Sequence, residues 1–154
     1  MQKKIITFFL LLLLPSCGYD AIYSKKNSMN YNFSISELNF IGNKNINLRV
    51  KRSLNSYTLS RKNKDFKIKI SSSSTKTVVA KDAAGDATDF KNTVAINVEI
   101  LKNNKLKNSF VMAESFNYNN NSDKFGLRKY EKEIQNNLAE TISEKLILKL
   151  SNIQ

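Results

Sequence analysis

The chain has 154 residues, 25 Lys and Arg against 13 Asp and Glu, one Cys and no His. That length suits one domain around a single core, and a lone cysteine excludes an internal disulfide. The lack of His removes a common zinc ligand and the usual base for activating a nucleophile.

Residues 5–14 are apolar apart from Thr7, follow Lys3 and Lys4, and lead at once to Ser16 and Cys17. A membrane-spanning helix needs about 20 apolar residues, so this run is too short to cross. A positive start, a short apolar stretch and small residues before a cut are the parts of a secretory signal peptide. A buried core helix is the poorer reading, because the run has no polar face. The segment LPSC resembles the bacterial lipobox, in which the Cys is alkylated with diacylglycerol, the peptide is cut before it and the new amino group is acylated. Leu14, Ser16 and Cys17 match that pattern, and Pro15 departs from it. The resemblance implies a signal peptide over residues 1–16 and lipidation at Cys17. Each buried methylene contributes about 0.8 kcal/mol, so several chains anchor firmly where one anchors marginally. Gly18, in place of Asp, is similar to the residue found in lipoproteins sorted to the outer membrane.

Cleavage leaves 138 residues with 23 basic and 13 acidic side chains, a balance of +10. Export argues against nucleic acid as the partner. Lipid headgroups and the phosphorylated sugars of lipopolysaccharide are the anions outside the cytoplasm. Richness in Lys, Asn and Ile equally fits drift toward AT-rich codons.

Residues 17–28 read as a lipid-anchored tether, and residues 29–154 as a single domain. Met29, Tyr31, Phe33 and Ile35 alternate with Asn30, Asn32 and Ser34, the period of a half-buried strand. The phase then shifts to Leu38 and Phe40, which predicts a bulge or a strand end. Ile46, Val50, Leu54 and Tyr57 share one face of a helix, with Asn43 or Asn45 as its cap. Arg49, Lys51, Arg52, Arg61 and Lys62 fall mainly elsewhere, on a solvated face or one turned to phosphates. Phe66, Ile68 and Ile70 alternate with Lys67 and Lys69, and a polar extension follows. Val94, Ile96, Val98 and Ile100 mark a third strand. Asn103 and Asn104 suit a tight connection. Leu106, Phe110 and Met112 fall on one side of a fourth strand. Leu127, Tyr130, Ile134, Leu138 and Ile142 form a helical stripe behind the candidate caps Asn121, Ser122 and Asp123. Leu146, Ile147, Leu148 and Leu150 widen that surface, toward the tether or a partner.

Strand, helix, three strands and helix predict an α+β fold: a two-layer sandwich with two helices on one face of a four-stranded, mostly antiparallel sheet. No catalytic constellation, phosphate-cradling glycine loop or cofactor motif is present, so the chain reads as no enzyme. Asp82, Asp86 and Asp89 form the tightest acidic cluster, either a calcium site or a turn in which Asp bonds its own backbone.

A lipobox followed by CGYDAIY resembles the CGF-x-P-x-Y start of the LPS-assembly lipoprotein LptE family. KDAAGDATDF resembles that family's small-residue turn between two strands. The segment from SFNYNNNSDKFG to the end resembles its aromatic strand and terminal helix. Asp20 and Ala21 depart from the usual basic residue and Pro. The resemblance implies an outer-membrane lipoprotein, anchored by lipid and facing the periplasm, that plugs and helps assemble an LptD-type barrel and binds lipopolysaccharide. A basic, Asn- and Ser-rich surface suits the polar lumen of a large barrel. Lys81, Lys91, Lys102 and Lys105, at the strand-connecting tips, are the candidate lipopolysaccharide contacts. The alternative is another outer-membrane accessory lipoprotein, serving barrel assembly or a transporter.

Overall fold

The computed structural model describes residues 31–59, 61–62, 64–102 and 105–153. The expected signal peptide, Cys17, the tether and the connection at Asn103 and Asn104 lie outside the described residues. Six elements follow in the predicted order: β1 (Ser34–Gly42), α1 (Lys44–Thr58), β2 (Asp65–Lys81), β3 (Ala87–Lys102), β4 (Lys105–Asn119) and α2 (Lys124–Asn152).

The strands lie side by side as β1-β2-β3-β4. β1 runs parallel to β2, and the other neighbours are antiparallel. Parallel neighbours need a crossover between them, and α1 supplies it. The result is the predicted α+β architecture, two helices against a four-stranded and mostly antiparallel sheet.

The register of β1 slips between Ile35 and Glu37. This is the bulge that the phase change from Ile35 to Leu38 predicts. Alternation places Ser34 on the solvent side, but it is buried. Its hydroxyl donates to Asp65 Oδ1 at 3.1 Å and its amide to the Lys64 carbonyl at 2.7 Å. The segment leading into β2 folds over it, and these partners offset the cost of its burial.

α1 begins at Asn43, whose side-chain oxygen accepts from the amides of Asn45 and Ile46 at 3.0 and 3.2 Å. Ile46, Val50 and Leu54 are buried, and Tyr57 stacks on Phe33 with ring centroids 4.4 Å apart. The helix stops at Thr58, so Arg61 and Lys62 lie beyond it. Arg49 reaches across to Glu140 of α2 at 2.9 Å.

Phe66, Ile68 and Ile70 meet Val94, Ile96, Val98 and Ile100 on the inward face, all buried as the alternation predicts. The register shifts again between Ile100 and Leu101: Ile100 pairs with Asn108 and Leu101 with Leu106. Residue 107 is therefore extra. Because a slip of one residue turns side chains to the opposite face, Leu106 stands with Leu101 on the outer side. It is not beside Phe110 and Met112, as uninterrupted alternation predicts, and it is 61% exposed.

α2 is capped by Asp123, whose Oδ1 accepts from the amides of Phe125 and Gly126, each at 3.0 Å. No acidic residue lies in the first turn, so this cap is the main offset to the positive helix end. Asp123→Ala should therefore cost about 1 kcal/mol, read as a lower urea midpoint with an unchanged slope. Leu127, Ile134 and Ile142 pack inward as expected, whereas Tyr130 is half exposed. The sequence directs Leu146 and Leu150 toward the tether or a partner, yet both are wholly buried in the main core. Four-residue steps from Ile142 keep them on its face of the helix.

The inward side holds two apolar clusters. The larger joins α1, the second half of α2 and the start of the sheet. The smaller gathers Tyr118, Leu127 and Ile134 with Phe90 and Leu138. β1 pairs with β2 only as far as Ser72. Beyond that point the sheet is three strands wide.

Candidate functional site

The far end of the sheet is the β2–β3 turn. Asp82 organises it: its Oδ1 accepts from the amides of Ala84 and Asp86, both at 2.9 Å. Its carbonyl accepts from the Gly85 amide at 3.1 Å. This is the turn reading of the acidic cluster. Asp89 is occupied separately by the Thr88 hydroxyl. Among the described residues no cluster of three or more acidic side chains is gathered as a metal site would need.

The four candidate lysines do not converge. Lys81 closes β2 at this turn, while Lys102 and Lys105 bracket the opposite end of the hairpin stack. β3 has 16 residues, so the two ends are roughly 50 Å apart at about 3.3 Å per residue. Lys91 is not at a tip. It lies within β3 between Thr77 and Asn117, because β3 starts at Ala87 and pairs with the polar extension of β2. The hydrophobic alternation marks only its later part.

Residues that sequence reasoning passed over complete the Lys81 end. Asn120 donates from its backbone to Thr88 and from its side chain to Ala87, both at 2.7 Å. Lys124 Nζ donates to Asn120 Oδ1 at 3.3 Å. These bonds tie the start of α2 to the β2–β3 turn. Lys124, Arg128 and Lys132, four residues apart and therefore on one helical face, are exposed, as is Lys129. Phe125 is 73% exposed among them, and Val78 and Val79 are half exposed on the adjoining strand. The spacing of 124, 128 and 132 is visible in the sequence, but only the turn contact sets its first member, Lys124, beside Asn120, which bonds the Ala87 that pairs with Lys81.

Between the two apolar clusters lies a polar belt on the inward face. Ser74 donates to the buried Asn92 at 3.1 Å. Lys76 points inward, 2.6 Å from Glu131 Oε1 and 3.7 Å from the centre of the Phe90 ring. The Tyr118 hydroxyl donates to the same Glu131 oxygen at 2.9 Å. Burial, then the hydrogen bond and the charge of Glu131, hold the Tyr118 phenol well above its usual range. Unfolded Tyr118 loses its proton near pH 10, while folded Tyr118 retains it. The stability present below pH 10 therefore declines as the pH rises toward the folded value. Between about pH 9 and 11, Tyr118→Phe should lose less of its denaturation free energy than the unaltered chain. Equal losses would assign the alkaline slope to other groups, Tyr57 among them, which burial also raises.

Beside Tyr118 a groove of about 490 Å³ opens between Phe116, Asn120, Leu127 and Tyr130. A second of about 290 Å³ continues along α2 past Ile134, Asn137, Leu138 and Thr141. The opposite face of the sheet carries no charged side chain in its middle rows. Rows such as Ser73, Ala95 and Ala113, or Thr75, Thr93 and Ser115, run across it.

No protein-family model matches the chain, and no curated protein matches it in sequence. Solved structures do match in fold. Rare lipoprotein B from Shewanella oneidensis superposes with a TM-score of 0.60 at 7% identity, over 75% of this chain and 93% of that one. A minor lipoprotein from Acinetobacter baumannii gives 0.58 at 11% identity, over 77% and 92%. An uncharacterized lipoprotein B from Nitrosomonas europaea gives 0.54 at 10% identity, over 77% and 83%. The chain therefore has the two-layer α+β fold of these rare and minor lipoproteins.

Proposed function

We propose that the protein is an outer-membrane lipoprotein of LptE type, anchored through Cys17, that plugs an LptD-type barrel and binds lipopolysaccharide in transit to the outer leaflet. The observation that carries the reading is the fold shared with three lipoproteins by a chain that opens on a lipobox. The outer sheet face, with small Ser, Thr and Ala side chains in its middle rows, suits close approach to a polar barrel wall. The end bearing Lys81, Lys124 and Arg128 beside Phe125 suits an anionic headgroup with acyl chains attached. Lys102 and Lys105 remain candidates for a separate contact at the other end.

Purification of the full chain from detergent-solubilised envelope should recover one large barrel and an acylated amino terminus at Cys17. A chain that still starts at Met1, or carries a free thiol at Cys17, overturns the anchor. Recovery with inner-membrane transporter subunits favours the accessory-subunit alternative. The double reversal Lys124→Glu with Arg128→Glu should weaken capture of purified lipopolysaccharide about tenfold, the loss of roughly 1.4 kcal/mol of charge-assisted bonding. Unchanged capture removes this end from the site.

A further inference from the structure

β4 ends the sheet, and no described residue pairs with its outer backbone edge. Natural sheets blunt such edges with short strands, lysines, prolines, bulges or a covering element. β4 does so only at its start, with Lys105, Lys107 and the extra residue at 107. Residues 108–119 contain no proline and one charge, Glu114, which is tied to Lys145 of α2. That stretch is roughly 40 Å of edge left unpaired by the described residues, at about 3.3 Å per residue. A bare edge of this length is a template for an incoming strand.

The flank beside the edge is graded. α2 runs antiparallel to β4, with Tyr130 near Tyr118 and Lys149 over Phe110, 3.9 Å from the ring centre. A strand added to β4 lies about 4.8 Å further out. Its alternate side chains then overhang the α2 flank of Tyr130, Glu133, Asn137 and Thr141, so the acidic positions belong at the Lys149 end, away from Glu133. At one end they meet the groove of Phe116, Tyr130 and Ile134. At the other they meet Lys149 and, beyond it, Lys105 and Lys107. Lys145 is already matched by Glu114.

We infer that the β4 edge docks an extended acidic segment of a protein partner as a fifth strand. Main-chain bonds to residues 108–119 supply the adhesion. An aromatic side chain fills the groove at Phe116 and Tyr130, and carboxylates face Lys149 and Lys105. The charge argues against a second copy as the occupant: it would set one strongly basic chain, +12 in all, against another. The surface is distinct from the Lys81 end, so the inference does not depend on lipopolysaccharide binding.

The test uses the full chain in detergent and two blocked peptides of about ten residues, a strand-length segment. Both carry Thr at alternate positions. One has a Phe and then Asp at the remaining positions, and the other replaces each Asp with Lys. The acidic peptide should slow exchange of amides within 108–119 about tenfold and leave β1 unchanged. The Lys peptide should bind at least about tenfold more weakly. Phe116→Ala and Lys149→Glu should each weaken the acidic peptide several-fold, with binding read well below each variant's thermal midpoint because Lys149 also sits over the Phe110 ring. Protection away from β4, no protection, equal binding of the two peptides, or dimerisation through β4 without peptide each overturns the inference.

Discussion

Leu146→Ala should lower the unfolding free energy by about 3 kcal/mol, and Leu148→Ala, two residues away, by less than about 0.5 kcal/mol. Leu146 is wholly buried in the core that α1 and the sheet share with α2, whereas Leu148 is half exposed. Truncating Leu146 removes its transfer free energy and leaves a cavity that close-packed neighbours cannot fill. Truncating Leu148 removes contacts mostly made to water. Urea denaturation of both variants measures the difference directly. Similar losses at the two positions would mean that the end of α2 is not seated in the core.

Gly42→Ala should be at least as damaging, about 3–5 kcal/mol, because two costs coincide at one atom. Gly42 has φ +96°, a region that L side chains rarely adopt. An added Cβ would also stand deep inside the contact distance of the Ser72 carbonyl oxygen. That carbonyl is not free to move. It accepts from the Asn43 amide at 3.2 Å, while the Ser72 hydroxyl donates to Asn47 at 2.6 Å. The junction joins β1 to α1 at the point where β2 loses its neighbour. Gly85 provides the comparison: φ is +91° but nothing lies within 4 Å of the added carbon. Gly85→Ala should therefore cost only about 1–2 kcal/mol. Thermal midpoints of the two variants should differ by several degrees, and equal midpoints would leave the crowding at Ser72 without energetic weight.

Much of this architecture is written in periodicity. The alternation of Phe66, Ile68 and Ile70, the four-residue steps of Ile46, Val50 and Leu54, and the slip after Ile35 each report a face directly, because burial repeats with the geometry of the element. Partners distant in sequence are not reported that way. Ser34 reads as solvent-facing until the chain around Lys64 closes over it. Leu106 reads as inward until the extra residue at 107 is known. Lys76 shares the inward phase of Phe66, Ile68 and Ile70, but the Ser and Thr around it carry no apolar mark of that face, and Glu131 and Phe90 hold it there. Lys91 looks like a tip because β3's first residues are as polar as a loop. The basic face of Lys124, Arg128 and Lys132 has a clear helical spacing, but the placing of its first turn against the β2–β3 turn depends on two bonds from Asn120.

The early end of β1 and the polar belt divide the sheet unevenly. Below the belt, β2 and β3 are flanked by strands and backed by both helices; above it, three strands rest on one helix through a small apolar cluster. Fewer buried contacts give a lower free energy of local opening, so the upper part can splay while the root stays folded. Amides in residues 87–92 should thus exchange through a shallower excursion than those in 94–100. A body that yields at its nose and stays stiff at its base can be threaded into a narrow enclosure and then wedge there.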